Sequence, residues 1–295
     1  MFLLVGGDSE VGAATHRFLK ESGRMSFATT RRPDRTAPDR PLLALTTSLD
    51  AWEPPAGTRA ACIFAAVARL ADCAADPAGS ARINVTQTLV LVDRLLARGA
   101  YVLFLSTNQV FDGLTPHVAP DWPPSPVSEY GRQKARAEAA LRAHMDKGAP
   151  VAILRLAKVV SPGMALIRGW VAALSRGEAI RAFEDMMLAP TPTDLVVRAI
   201  AVLLEERAAG IFQLTGPRDI SYADVGDHIA RRLDADPKQV GRVPAASAGM
   251  PEGATPPHTT LDSSALAQRY GLIAPEPFEV IDEVMDAAVG RISEA

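Results

Sequence analysis

Two hydrophobic patterns alternate along the first half of the chain. Short unbroken apolar runs, Phe2–Val5, Ser26–Thr30, Pro41–Thr46, Ala60–Ala66, Tyr101–Leu105 and Val151–Leu156, have the signature of strands buried on both faces. Between them lie segments with apolar residues on one helical face. Glu10–Ser22 places Val11, Phe18 and Leu19 together, Ala81–Arg98 does so with Leu89, Leu91, Val92, Leu95 and Leu96, and Glu129–His144 is a third helix. Alternation of this kind over about 150 residues predicts an α/β fold built on a doubly wound parallel sheet. After residue 157 the rhythm changes. Helical patterns at Leu166–Ser175, Asp194–Arg207, Tyr222–Leu233 and Phe278–Ile292 are spaced by Pro- and Gly-rich loops, with short strands at Gly210–Leu214 and Val240–Val243. Ala245–His258 has no period and reads as a surface loop. The expected organisation is a nucleotide-binding domain over 1–157 and a smaller α+β substrate lobe over 158–295, with room for C-terminal helices or a strand to return to the sheet.

Composition narrows the function classes. The 295 residues are 48% hydrophobic and 22% charged, which suits a globular protein and argues against disorder. A net charge of −3 disfavours a nucleic-acid binder. No apolar run approaches about 18 residues, so no membrane span is expected. Phe2–Val5 runs straight into Gly6-Gly7 without the basic segment and cleavage site of a secretory leader. Cys62 and Cys73 lack metal-ligand spacing and read as reduced thiols of a cytoplasmic protein. The five histidines show no paired spacing, so no metal site is expected.

Four places carry candidate chemistry. The segment Val5-Gly6-Gly7-Asp8-Ser9-Glu10-Val11-Gly12 joins the first strand to the first helix. Glycine there lets the backbone turn tightly and approach a pyrophosphate, and the helix N-terminus offers free N–H groups to the anion. This makes the sheet Rossmann-type. At the end of the second strand, where NAD-binding folds place an acid for the ribose 2′-hydroxyl, the sequence reads Thr30-Arg31-Arg32. Guanidinium groups match a 2′-phosphate, which favours NADP, NADPH as reductant, over NAD; two solvated loop arginines are the alternative. Tyr130 and Lys134 share one helical face at i and i+4, where a lysine can lower the phenol's pKa and the phenol can exchange a proton with a carbonyl. The other reading is a surface Tyr and Lys on an amphipathic helix. Ser106-Thr107 and Asn108-Gln109-Val110-Phe111-Asp112-Gly113 follow the fifth strand, at the sheet edge where ligands bind.

In this order, with Asp76-Pro77, Asn84-Val85, Leu154-Arg155-Leu156, Pro192-Thr193-Asp194 and Leu261-Asp262, these features resemble the extended short-chain dehydrogenase/reductase superfamily, and within it the dTDP-4-dehydrorhamnose reductases and related nucleotide-sugar reductases. The resemblance spans nearly the whole chain. It implies a catalytic set of Thr107, Tyr130 and Lys134, with Tyr130 as general acid, Lys134 on the nicotinamide ribose and Thr107 on the substrate oxygen. It implies a cofactor site from Gly6, Ser9, Glu10, Val11, Gly12, Thr30, Arg31, Arg32, Ala65 and Ala66, together with Tyr130 and Lys134. Thr107, Asn108, Gln109, Val110 and Lys158 would meet the substrate. The implied activity is NADPH-dependent reduction of a nucleotide-linked 4-keto sugar in deoxysugar or surface polysaccharide biosynthesis, with NAD also admissible and a homodimer as the expected assembly. An epimerase of the same superfamily and a non-catalytic NADP-binding sensor or scaffold are the alternatives. Three positions depart from the pattern: Ser9 stands where a middle glycine is usual, Asn108-Gln109 where the reductases carry Asp-Tyr, and Lys158 where they tend to carry a tryptophan.

Overall fold

The computed structural model describes residues 1–251 and 253–292. Glu252 of the expected loop and residues 293–295 of the expected second lobe lie outside the described residues. The chain begins with β1 (Phe2–Val5), α1 (Glu10–Glu21), β2 (Ser26–Ala28) and β3 (Ala60–Ile63). It continues through α2 (Leu70–Ala75), α3 (Pro77–Ala81), a π-helical turn (Arg82–Gln87), α4 (Thr88–Ala97), β4 (Tyr101–Thr107), α5 (Glu129–Met145) and β5 (Val151–Leu156). Then come β6 (Val159–Val160), α6 (Ala165–Ser175), β7 (Ile180–Phe183), β8 (Met187–Leu188), β9 (Thr191–Pro192), α7 (Thr193–Glu206) and β10 (Gly210–Leu214). Last are β11 (Ile220–Ser221), α8 (Tyr222–Arg232), β12 (Val240–Val243), α9 (Ser264–Tyr270) and α10 (Pro277–Ile292).

Six strands form one parallel sheet in the order β10-β5-β4-β3-β1-β2. Successive residues of each strand point to opposite faces, and both faces are covered. Leu4, Cys62, Leu103 and Leu154 pack with α1, α7 and α9 on one side. Leu3, Ile63, Phe104 and Ile153 pack with α4 and α5 on the other. That double burial is why the strands are continuously apolar, and each buried Leu, Ile or Phe contributes about 1.5–3 kcal/mol. The chain leaves β1 for β2 on one side and crosses back to β3 on the other. The strand order therefore reverses at β1/β3, and a crevice opens there at the carboxyl ends of the strands.

One expected strand is absent. Pro41–Thr46 forms a single bridge, Thr30 to Leu42, and no ladder. Pro38 and Pro41 have no N–H to donate, so pairing stops at two main-chain bonds, the Thr30 N–H to the Pro41 carbonyl at 3.0 Å and the Leu43 N–H to the Thr30 carbonyl at 2.9 Å, while Leu43 and Leu45 are buried beside α4 and β1. The expected helix over 81–98 is broken in character: its first turns are π-helical, and Leu89 and Leu96 are only half-buried. After 157 the chain serves two cores. α7 and β10 complete the central layers, while α6, β7, α8 and α10 enclose a second cluster around Trp170, Ile180, Ile229 and Ile281. Among the described residues, no helix is long and apolar enough to cross a membrane.

Candidate active site

A cavity of about 270 Å³ sits at the β1/β3 reversal. Gly6, Ser9, Arg31, Arg32, Ala65 and Ala66 of the expected cofactor set line it. Gly6 has φ +95°, and a Cβ there would meet the Ala65 nitrogen at 2.7 Å, so only glycine lets the two strand ends close up. Ser9, by contrast, has φ −74° and needs no glycine. Its hydroxyl caps α1, accepting from the Gly12 N–H at 3.1 Å and donating to the Gly6 carbonyl at 2.8 Å. The missing middle glycine therefore leaves the loop intact. Glu10, Val11 and Gly12 do not line the cavity: Glu10 is exposed at the head of α1, Val11 packs against the core, and Gly12 is buried against Gly6. Arg31 and Arg32 are exposed; among the described residues their guanidinium groups make no hydrogen bond or ion pair, and Arg32 acts on Asp8 through its charge alone. Thr30 is buried below them and acts through its hydroxyl on Asp8, a residue that sequence reasoning passed over.

The second half of the site is built where β4 ends and α5 begins. Thr107 closes β4, and its hydroxyl oxygen accepts from the Gln109 N–H at 3.1 Å. Asn108–Val110 forms a 3-10 turn. Ser128 caps α5 through the Gly131 N–H and donates to the Gln109 Oε1 at 3.0 Å. A Cβ on Gly131 would stand 2.0 Å from the Gln109 carbonyl oxygen, so glycine lets the helix and the turn touch. Thr107 and the first turn of α5, with Tyr130, are thereby locked together. The Val110 side chain is fully buried with Phe111, Val118 and Leu261 and serves as packing. Lys158 follows β5, exposed, and interacts electrostatically with Glu10. The hydroxyl of Ser106, buried beside Thr107, has no partner among the described residues. An orphaned buried donor, an open crevice and free N–H groups at a helix head all suit a bound dinucleotide.

Burial sets the protonation states here. Tyr130 is half-buried, and loss of solvent, with the Cys73 thiol nearby, pushes its phenol well above the ordinary value. That reverses the sequence expectation of a lysine-lowered phenol. The Lys134 side chain, 3% exposed, donates to the Leu105 carbonyl and lies 3.7 Å from the centre of the Phe104 ring. Burial lowers its pKa to about 7, against the opposing pull of Glu138. Between this value and the ordinary 10.5, the unfolded chain holds a proton that the folded chain has shed. Stability of the unliganded protein must rise with pH across that window. Wild type is expected to gain stability relative to Lys134→Met between pH 7 and 10 in urea melts; a constant difference would contradict the neutral, buried amine.

A polar network flanks the same helix. Asn84, on the π-helical turn, exchanges hydrogen bonds with the Val67 backbone and donates to the Gln133 Oε1 at 2.8 Å. Gln133 in turn donates to Ser80 and Glu129. Gln133 gave no signal in the sequence, because Asn84 and Ser80, the partners that tie it to the rest of the fold, lie 49 and 53 residues away.

A first-strand glycine loop at the order reversal, with a Tyr-x-x-x-Lys helix following β4, defines a fold of the short-chain dehydrogenase/reductase kind. The chain belongs to the RmlD substrate binding domain family, whose profile matches residues 1–289. It is 32% identical over 181 residues to a probable dTDP-4,6-dihydroxy-2-methyloxan-3-one 4-ketoreductase of Streptomyces antibioticus; the match spans 60% of each chain, so this chain covers about three-fifths of that relative. Among solved structures, MoeE5 in complex with UDP-glucose and NAD superposes with a TM-score of 0.81 at 22% identity, covering 100% of this chain and 99% of that one. The dTDP-4-dehydrorhamnose reductase of Bacillus anthracis str. Ames in complex with NADP superposes with a TM-score of 0.77 at 16% identity, covering 98% of each. Both structures share the fold.

Proposed function

We propose that this protein is an NADPH-dependent reductase of a nucleotide-linked 4-keto sugar, acting in deoxysugar or surface polysaccharide biosynthesis in the cytoplasm. The observation that carries the reading is the Thr107 turn locked against the head of α5, at the same sheet edge as the glycine-loop cavity. The names and bound molecules of the relatives support the substrate class and the cofactor type.

A nicotinamide dinucleotide held by the glycine loop would supply the hydride for the carbonyl carbon. Tyr130 gives its phenolic proton to the carbonyl oxygen as that oxygen gains charge, so the product is the alcohol. A phenol with a raised pKa stays protonated at neutral pH and is ready to donate. The Thr107 hydroxyl holds the same oxygen in line, and Lys134 holds the nicotinamide ribose. Arg31 and Arg32 meet the 2′-phosphate. Asn108 and Gln109 leave the turn without the acid pair that the resemblance assigns to dehydratases, which argues against dehydration.

The test is direct. Purified protein mixed with NADPH and a dTDP-4-keto-6-deoxy sugar should lose nicotinamide absorbance in step with formation of the dTDP-linked deoxysugar. No turnover across dTDP-, UDP- and GDP-linked 4-keto sugars, with either nicotinamide cofactor, would overturn the reading.

A further inference from the structure

Asp8 lies inside the glycine loop, yet its carboxylate sits at the end of the second strand. The loop is pinned there by its backbone: the Gly6 N–H donates to the Thr29 hydroxyl at 3.0 Å, and the Gly7 N–H to the Thr29 carbonyl at 2.9 Å. A Cβ on Gly7 would meet that of Ala28 at 2.6 Å, so the glycine lets the loop lie flat on the strand end. Asp8 is then carried over Thr30. Its Oδ2 accepts from the Thr30 hydroxyl at 2.8 Å and from the Arg31 N–H at 3.3 Å, and its Oδ1 accepts from the Arg40 Nη2 at 2.7 Å. The side chain lines the cavity together with Arg31 and Arg32.

We propose that Asp8 supplies, from the glycine loop, the acid that the end of β2 lacks: it receives an adenosine ribose hydroxyl and keeps the site open to NADH, against the pull of Arg31 and Arg32 toward NADPH. This rests on the nicotinamide reading of the cavity. A carboxylate offers about four acceptor positions, and three are used, so Oδ1 keeps one for a ribose hydroxyl. Burial raises the pKa of Asp8, but the Thr30 hydroxyl, the Arg31 N–H and the Arg40 and Arg32 charges outweigh it and hold the carboxyl below its ordinary value. The group is ionised at neutral pH. A 2′-phosphate brought to the same place meets a like charge, which among the described residues only Arg40 neutralises by direct ion pairing. The exposed guanidinium groups of Arg31 and Arg32 supply the opposing attraction, through solvent and more weakly for it. The preference is a balance of these charges.

Two substitutions break the same ion pair in opposite senses. Asp8→Asn removes the repelling charge and frees Arg40; Arg40→Gln leaves the loop carboxylate unneutralised. The ligands to titrate, by calorimetry on the full chain, are ADP, which carries the ribose diol, and 2′,5′-ADP, which carries the phosphate. Wild type should bind both. Asp8→Asn should move the affinity ratio toward 2′,5′-ADP by about tenfold or more, the worth of a charge-assisted hydrogen bond, and Arg40→Gln should move it toward ADP. A merely structural role for the pair would weaken both ligands alike in both variants. An unmoved ratio, or two variants moving it the same way, would overturn this inference alone. Failure of wild type to bind either ligand or either full dinucleotide would overturn it together with the nicotinamide reading. Neither arm uses a keto-sugar substrate, so the outcome is independent of the proposed reduction.

Discussion

Replacing Tyr130 by phenylalanine is expected to lower kcat for keto-sugar reduction by about 10²–10⁴-fold, the range for loss of a positioned general acid, with a far smaller change in dinucleotide affinity. The ring stays, so the packing around α5 stays; only the proton is lost. The oxygen that gains charge as hydride arrives would then be left with the Thr107 hydroxyl alone. Because burial holds the phenol protonated, the pH profile of kcat/KM should show no falling limb from Tyr130 below its ordinary pKa. Single-turnover reduction with excess enzyme isolates the step from product release. Wild-type turnover in the phenylalanine variant would remove Tyr130 from the mechanism.

The second large effect lies beneath the site. Arg155 of β5 and Glu138 of α5 are both 0% exposed at the side chain and pair through three contacts, Nε to Oε1 at 3.0 Å, Nε to Oε2 at 3.3 Å and Nη2 to Oε2 at 2.7 Å. Arg155 Nη1 also donates to the Pro120 carbonyl and to the Gln213 Oε1, both at 3.0 Å, and the guanidinium lies 4.9 Å from the Phe111 ring centre. One side chain thus ties α5, β5, β10 and the loop before α5. Glu138→Leu strands a buried cation, and Arg155→Met leaves the buried carboxylate with the more distant Arg142 Nη2, at 3.9 Å, in place of its close partner. Each is expected to cost about 3–5 kcal/mol in urea unfolding, and the double variant, which buries neither charge, should recover much of the loss. If both single variants cost under about 1 kcal/mol, the level of an exposed pair, the ion pair does not hold these elements together.

Much of the fold was legible because its strands are buried on both faces and its helices on one. The same reasoning failed at Pro41–Thr46, where leucines reach the core with one bridge and no ladder; periodicity reports burial, and burial does not require a ladder. It also missed the π turn at Arg82–Gln87, since one extra residue per turn does not disturb an apolar stripe enough to be seen. At the site, the glycine loop and the Tyr130/Lys134 pair are local patterns and were readable. The position of Asp8 was not. It depends on β1 lying beside β2, and the search for an acid looked only along the strand itself. The direction of the Tyr130 shift was misread for a related reason: a lysine one turn away is visible in sequence, but the removal of water around the phenol is not.

The place of β10 has a consequence for how the chain is made. β5 is the last sheet strand before residue 157, and all six of its residues are buried. Its outer flank is closed only by Gly210–Leu214, paired from Ala152 to Leu156. While the nascent chain lacks those residues, the sheet presents an apolar edge with unpaired N–H and C=O groups, a template for another chain. Arg155 is also without Gln213 at that stage. A fragment ending near 157 would keep the glycine loop and the Tyr130 helix yet carry an open edge that invites self-association, so expression of the site demands synthesis at least through Leu214.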